Sequence, residues 1–293
     1  MPDVIIMGGG PAGVSAALYT VRAGLSTTIL ASGAGALEKS DRIENYYGFA
    51  EPVSGRRLLE NGIAQAKRLG ARIVTDEVVG LSWDGEFLIS TKRSAYRAPF
   101  AVMATGASRS TPKISGLTEF EGKGVSYCAV CDGFFYRKKP VVVLGAGDYA
   151  LHEAAELLPV ASSVTILTDG KEPQAAFPKE TAVETRKIAK LTGEGTLHRI
   201  RFEDGTELET AGLFVAVGVA GSADLARKVG AQVNGVSVAV DEKRRTNVPG
   251  LYAAGDCTGG LLQISKAVCD GALAGTDIVR EFRQRAAAPS ARM

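Results

Sequence analysis

The apolar positions of this chain gather into short runs, each followed by a glycine turn and then by a stretch with helical spacing. Val4-Ile5-Ile6-Met7 leads into Gly8-Gly9-Gly10-Pro11-Ala12-Gly13, then into a helical run from Val14 to Ala23 that stops at Gly24. Val141-Val142-Val143-Leu144 repeats the arrangement, with Gly145-Ala146-Gly147-Asp148-Tyr149-Ala150 as the turn and Leu151 to Leu158 as the helix. A second strand follows each helix, near Thr27–Leu30 and Val164–Leu167. Ala101-Val102-Met103-Ala104-Thr105-Gly106-Ala107 closes the first unit as Phe214-Val215-Ala216-Val217-Gly218 closes the second. In a strand, Gly-x-Gly-x-x-Gly/Ala turn and helix, the glycines let the backbone approach a pyrophosphate that sits on the helix N-terminus. Its occurrence twice predicts an α/β chain with two Rossmann-like (three-layer ββα) nucleotide-binding domains.

Length agrees, since 293 residues suggest about two domains, each large enough for its own core. The apolar content of 45% with 35 glycines suits an α/β protein rich in tight turns. A net charge of +2 is too small to imply nucleic acid. The first strand begins directly after Met1-Pro2-Asp3, which leaves no room for a signal peptide, and no apolar run approaches the ~18 residues of a membrane span. The charged run from Lys179 to Lys190 reads as a solvated helix and residues 284–293 as a loose tail.

The chemistry concentrates in Cys128-Ala129-Val130-Cys131-Asp132-Gly133-Phe134-Phe135-Tyr136. In a Cys-x-x-Cys pair one thiolate can form and break a disulfide with its neighbour while the adjacent acid, here Asp132, moves the proton. Zinc knuckles share that spacing but need four ligands. Cys257, Cys269, His152 and His198 are the remaining thiols and imidazoles, none at a matching spacing, so no metal is expected. Cys257 and Cys269 read as small core residues. Four cysteines, two of them a redox pair, fit a reducing cytoplasm better than a disulfide framework.

The nonapeptide resembles the redox centre of low-molecular-weight, FAD-dependent thioredoxin reductases, usually worded Cys-Ala-Thr-Cys-Asp-Gly-Phe-Phe, and the resemblance extends over nearly the whole chain. Leu251-Tyr252-Ala253-Ala254-Gly255-Asp256 is similar to the flavoprotein strand whose aspartate meets the ribityl and pyrophosphate region of FAD. Because that strand follows the second unit, the resemblance implies an FAD domain split into 1–115 and 242–293, with a smaller domain, 116–241, inserted and carrying the cysteine pair. It gives FAD contacts to Gly8, Gly10, Pro11, Ala12, Gly13, Ser32, Gly35, Asn45, Gly106, Gly255, Asp256, Gln263 and Ile264. It makes Cys131 the thiol facing the flavin and Cys128 the one that attacks the substrate disulfide, and it implies a homodimer. Asn45 stands in Glu44-Asn45-Tyr46-Tyr47-Gly48, similar to the family's Glu-Asn-Trp-Pro-Gly. Gly35-Ala36-Leu37-Glu38 departs from Gly-Gly-Gln-Leu, and Leu262-Gln263 from Arg-Gln.

The inserted domain departs further. NADPH-dependent members carry His-Arg-Arg after its second strand, whereas this chain has Thr168-Asp169-Gly170-Lys171-Glu172. Asp169 would repel a 2′-phosphate and suits an unphosphorylated ribose. Tyr149 replaces a small residue and would place a ring where a nicotinamide passes. These changes resemble the pyridine-nucleotide-independent branch of the family, whose members take electrons from reduced ferredoxin and in some cases bind a second FAD. Gly145, Gly147, Tyr149, Ala150 and Asp169 would then form a second nucleotide site for NADH or FAD, or a vestigial loop. The basic runs Arg137-Lys138-Lys139 and Lys243-Arg244-Arg245 would receive an acidic ferredoxin or stand as simple solvated surface. The expected reaction passes electrons from FAD through Cys128 and Cys131 to a thioredoxin-like protein or small disulfide, near thioredoxin's potential of about −270 mV. An NADH-dependent thioredoxin reductase, an FAD-dependent dithiol oxidase and a non-enzymatic flavin redox sensor stay open as alternatives.

Overall fold

The computed structural model describes residues 1–33, 35, 37–106, 112–127, 129–218 and 221–287, apart from the side chains of Lys39, Val130 and Cys131. The chain divides into two compact units, residues 1–108 with 221–293 and residues 109–220.

The first unit opens with β1 (Val4–Met7), α1 (Pro11–Arg22), β2 (Thr27–Ala31), α2 (Gly55–Arg68) and β3 (Arg72–Thr75). β4 (Val78–Trp83), β5 (Phe87–Thr91) and β6 (Ala95–Ala98) form an antiparallel meander before β7 (Phe100–Met103). Pro11 at the first position suits α1 because its missing N–H has no intrahelical partner there. All four side chains of β1 are buried, as expected of a strand inside a parallel sheet.

The inserted unit contains β8 (Val125–Ser126), α3 (Ala129–Asp132), a 3-10 turn (Gly133–Tyr136), β9 (Pro140–Leu144), α4 (Asp148–Leu157) and β10 (Ser163–Leu167). β11 (Ala182–Glu184), β12 (Ile188–Thr192), β13 (Arg199–Phe202), β14 (Glu207–Glu209) and β15 (Gly212–Val215) complete it. Its parallel sheet runs β11-β10-β9-β15-β8, and β12-β13-β14 is the antiparallel layer. The core between them holds Val142, Leu144, Leu167, Ile200, Phe202 and Leu213.

The chain then returns to the first unit with α5 (Ser222–Lys228), the hairpin of β16 (Val233–Asn234) and β17 (Ser237–Val238), β18 (Leu251–Ala253) and α6 (Ile264–Ala287). β18 completes a parallel sheet of order β18-β7-β1-β2-β3. Helices α1 and α6 pack closely: a Cβ built on Gly271 would lie 2.1 Å from the Ala12 carbonyl oxygen. Each unit thus joins a parallel sheet, helices and an antiparallel meander, the Rossmann-like arrangement expected from the repeated strand–turn–helix. Among the described residues no helix is long and apolar enough to cross a membrane.

Four local expectations differ from the structure. The run 179–190 is not a helix: Ala182–Glu184 pairs in parallel with β10 and Ile188 begins β12. Residues 112–115 belong to the inserted unit, because Leu191 N–H donates to the Ser115 carbonyl at 2.8 Å and Ile114 packs on its core. Residues 221–241 belong to the first unit instead of the insert: α5 packs against β4 and β17, and the Ser222 and Thr105 hydroxyls lie 2.6 Å apart. Residues 284–287 continue α6 rather than forming a tail.

Candidate active site

The glycine turn after β1 is tight on its inner side and open on its outer side. A Cβ on Gly8 would sit 2.1 Å from the Ala104 carbonyl oxygen, and one on Gly13 would sit 2.0 Å from the carbonyl oxygen of Gly8. A Cβ on Gly10 would meet nothing within 4 Å. Gly10 caps α1 in an extended conformation without a side-chain bond. Nothing therefore crowds Gly10 at the N-terminus of α1, where the first-turn N–H groups suit an anion such as a pyrophosphate.

The far segments converge on the same turn. A Cβ on Gly255 would come 2.9 Å from Cβ of Ala12, so the turn carrying Asp256 abuts the start of α1. Asn45 donates through Nδ2 to Oε1 of Gln263 at 3.0 Å, across 218 positions of sequence, just before Ile264 opens α6. Ser32 and Gly35 lie exposed beyond β2, and Gly106 follows β7 with φ of +81°. An open phosphate cradle, with an acid and an Asn–Gln pair gathered from distant segments, fits the dinucleotide FAD.

A buried ionic cluster that the sequence reading missed fastens the Asp256 turn. The Gly255 N–H donates to Oδ2 of Asp270 at 3.0 Å, and Lys266 Nζ donates to the Gly255 carbonyl at 2.8 Å and to Thr258 Oγ1 at 2.7 Å. Asp270, 1% exposed, is also 2.9 Å from Lys266 Nζ and 3.0 Å from Arg244 Nε. The second of these is charge contact without hydrogen-bond alignment. The visible signal was the i,i+4 spacing of Lys266 and Asp270 on one helical face. Arg245 is engaged likewise, by Asp277, so neither arginine of that basic run is a free surface charge. Cys257 is buried as expected, with Sγ donating to Met103 O and Ala254 O, both at 3.3 Å. Burial pushes its thiol up to about 11. Cys269, expected in the core, is exposed on α6.

In the inserted unit Cys128 lies outside the described residues, and Cys131 is described only through its backbone in α3. Around them, Asp132 accepts at Oδ2 from the Ser126 hydroxyl at 2.7 Å. Ala129 N–H donates to Oε2 of Glu153 at 2.8 Å. Burial, aided by the charge of Asp132, raises the pKa of the Tyr136 hydroxyl, and its ring meets Phe214 edge-on at 5.2 Å. Phe134 and Phe135 are exposed beside Arg137, Lys138 and Lys139.

The second glycine turn repeats the inner side of the first, and its outer side opens on a cleft. A Cβ on Gly145 would lie 2.2 Å from the Ala216 carbonyl oxygen and 2.8 Å from Cβ of Ala150. The strand-following segment then crosses the turn: Gln174 N–H donates to the Ala146 carbonyl at 2.6 Å, and Gln174 Oε1 lies 3.8 Å from a Cβ built on Gly147. A cleft of about 460 Å³ opens on the turn, lined by Gly145, Ala146 and Gly147 together with Lys113, Asp169, Lys171 and Gln174. Asp169, at φ of +52°, spends one carboxylate oxygen on the Ile188 N–H at 2.8 Å. Tyr149 does not line this cleft. Its ring is 1% exposed, packed inward from α4, which corrects the expectation of a ring across a nicotinamide path.

Residues 2–271 match the pyridine nucleotide-disulphide oxidoreductase family. The chain is 36% identical over 290 residues to a thioredoxin reductase of Treponema pallidum, covering 93% of this chain and 94% of that protein. The atypical thioredoxin reductase TRi from Desulfovibrio vulgaris Hildenborough superposes with a TM-score of 0.92 at 43% identity, over 98% of this chain and all (100%) of that one. A ferredoxin-flavin thioredoxin reductase from Clostridium acetobutylicum gives 0.72 at 30% identity, over 97% and 98%. The chain therefore belongs to the pyridine nucleotide-disulphide oxidoreductase family, as an FAD-dependent disulfide oxidoreductase homologous to the low-molecular-weight thioredoxin reductases.

Proposed function

We propose that this enzyme reduces the disulfide of a thioredoxin-like protein through Cys128 and Cys131 and draws its electrons from a carrier such as reduced ferredoxin, not from NADPH. The observation that carries the reading is Asp169 in the cleft of the second glycine turn, a charge of the wrong sign for a 2′-phosphate, which calls for arginine-type donors. Lys113 and Lys171 line the same cleft and supply cations, so NADH or a second FAD is the alternative occupant.

FAD, when bound, supplies two-electron reduction of the cysteine disulfide. Gly8, Gly10, Pro11, Ala12 and Gly13 hold its pyrophosphate, and Asp256, Asn45, Gln263 and Ile264 orient its ribityl and ring end. Ser32, Gly35, Gly106 and Gly255 shape the surrounding backbone. Cys131 is the thiol facing the flavin, Cys128 attacks the substrate disulfide, and Asp132, oriented by Ser126, moves the proton. The exposed Phe134 and Phe135 beside Arg137, Lys138 and Lys139 suit an acidic protein partner. A homodimer working in a reducing cytoplasm completes the proposal.

Anaerobic mixing with NADPH, NADH or reduced ferredoxin, followed by flavin absorbance, tests the donor. Ferredoxin is expected to bleach the flavin rapidly and NADPH slowly. Rapid bleaching by micromolar NADPH would overturn the proposal, and rapid bleaching by NADH alone would replace ferredoxin with NADH as the donor.

A further inference from the structure

We propose that Lys266 is a positioning residue for FAD, its ammonium locking the Gly255–Asp256 peptide so that Asp256 presents its carboxylate to the dinucleotide. The inference rests on the reading of the Asp256 turn as part of the FAD site. Gly255 stands at φ of +84° and ψ of −153°, a region open to glycine and to few other residues. A side chain there is also barred by Ala12, whose Cβ would lie 2.9 Å from the new one. The glycine that permits this close approach is free to swing, so the direction of the next residue must be fixed from outside.

Lys266 supplies that restraint. Its side chain is 17% exposed, and Nζ lies 2.9 Å from Oδ2 of Asp270. Nζ also donates to the Gly255 carbonyl at 2.8 Å and to Thr258 Oγ1 at 2.7 Å, so all three ammonium protons have acceptors. The peptide unit is planar, and holding the Gly255 carbonyl therefore holds the plane that carries the Asp256 Cα. On the other side of Asp256, its own carbonyl accepts from the Gly259 N–H at 3.0 Å. The Asp256 side chain, pinned at both ends of its backbone, makes no hydrogen bond or ion pair among the described residues. The two acids of this turn thus divide their tasks. Asp270, 1% exposed, takes Lys266 and Arg244, while Asp256 keeps its carboxylate for a ligand with hydroxyl donors, as the ribityl chain has.

The test is a double-mutant cycle on FAD affinity, read by fluorescence titration of full-length apoprotein, with urea unfolding of each apoprotein alongside. D256A should weaken FAD binding by about tenfold or more, the effect of losing one hydrogen bond to a charged group. K266M should weaken it by about tenfold in the wild-type background and by less than about twofold once D256A is present, because the lysine acts through the aspartate. K266R restores a cation for the Gly255 carbonyl and should return affinity toward wild type. K266M/D270N removes both buried charges and leaves an acceptor for the Gly255 N–H, so it carries the same comparison if K266M does not fold. Equal FAD affinity in wild type and D256A would overturn the FAD reading of this turn and this inference with it. With D256A weakened, wild-type affinity in K266M, or an equal loss from K266M in both backgrounds, would overturn this inference alone, since a lysine that only stabilises the fold would act regardless of the aspartate.

Discussion

Replacing Gly10 with alanine should separate cofactor binding from folding. Gly10 has φ of −77° and ψ of −176°, an extended conformation that alanine adopts freely, and the new methyl would touch no protein atom within 4 Å. The apoprotein should lose no more than about 1 kcal/mol, the scale of an altered N-cap. The methyl would nevertheless stand where the pyrophosphate approaches the N–H groups of α1. Losing one hydrogen bond to a charged group costs about 1.5–3 kcal/mol, which at 1.4 kcal/mol per tenfold is about 10- to 150-fold in FAD affinity. Gly13→Ala is the contrasting variant. Its methyl would lie 2.0 Å from the Gly8 carbonyl oxygen, so the backbone itself must move, at about 1–3 kcal/mol of overpacking or more. Urea unfolding of the two apoproteins and fluorescence titration with FAD would read both quantities. Wild-type FAD affinity in Gly10→Ala would refute the cradle, and destabilisation equal to that of Gly13→Ala would refute the open outer face.

On the proposed roles the two cysteines differ optically: Cys128→Ser should give a long-wavelength charge-transfer band from Cys131 to oxidised flavin, Cys131→Ser should not, and identical spectra would overturn the assigned roles. Asp270→Ala strands Arg244 and Lys266 around the Gly255 amide and should destabilise the apoprotein by about 3–5 kcal/mol, read by urea unfolding; a loss below about 1 kcal/mol would mean the cluster is solvated. Cys257, raised from 9.0 to about 11 by burial, stabilises the fold fully below pH 9 and loses that contribution as pH rises toward 11, because the unfolded thiol ionises first. Cys257→Ala should therefore flatten the alkaline limb of a stability profile. Alkylation of the native protein at pH 8 should mark Cys269 before Cys257, and the reverse order would contradict their burial.

The strand–turn–helix units were legible because their signals are local. Four buried apolar residues followed by Gly-x-Gly leave few options, and β1 and β9 form where the runs stand. The 179–190 run was misread because its charges mask a strand whose reason is external: Ala182–Glu184 is ordered by pairing with β10, not by its own periodicity. The domain junction moved for a similar cause, since the Thr105–Ser222 contact joins residues 117 positions apart. Glycine motifs announce a turn but not its neighbours, so nothing in Gly145-Ala146-Gly147 foretold that Gln174 N–H would bond the Ala146 carbonyl. Nothing in the local sequence marks Asp270 or Glu153, and it is packing that buries both.

Vectorial synthesis meets an obstacle in the pairing of β7 with β18. When β7 leaves the ribosome its outer edge has no partner, and the strand that will cover it is encoded only after the entire insert. An open parallel edge is a template for wrong pairing. The hydroxyl contact between Thr105 and Ser222 shows the two ends of the detour meeting. An insert that has already folded on its own core delivers those ends nearly preassembled, sparing most of the closure entropy of a long flexible loop. The nascent chain should therefore complete its second unit before its first, and a lesion in the insert's core would surface as aggregation through the open edge of the first unit's parallel sheet.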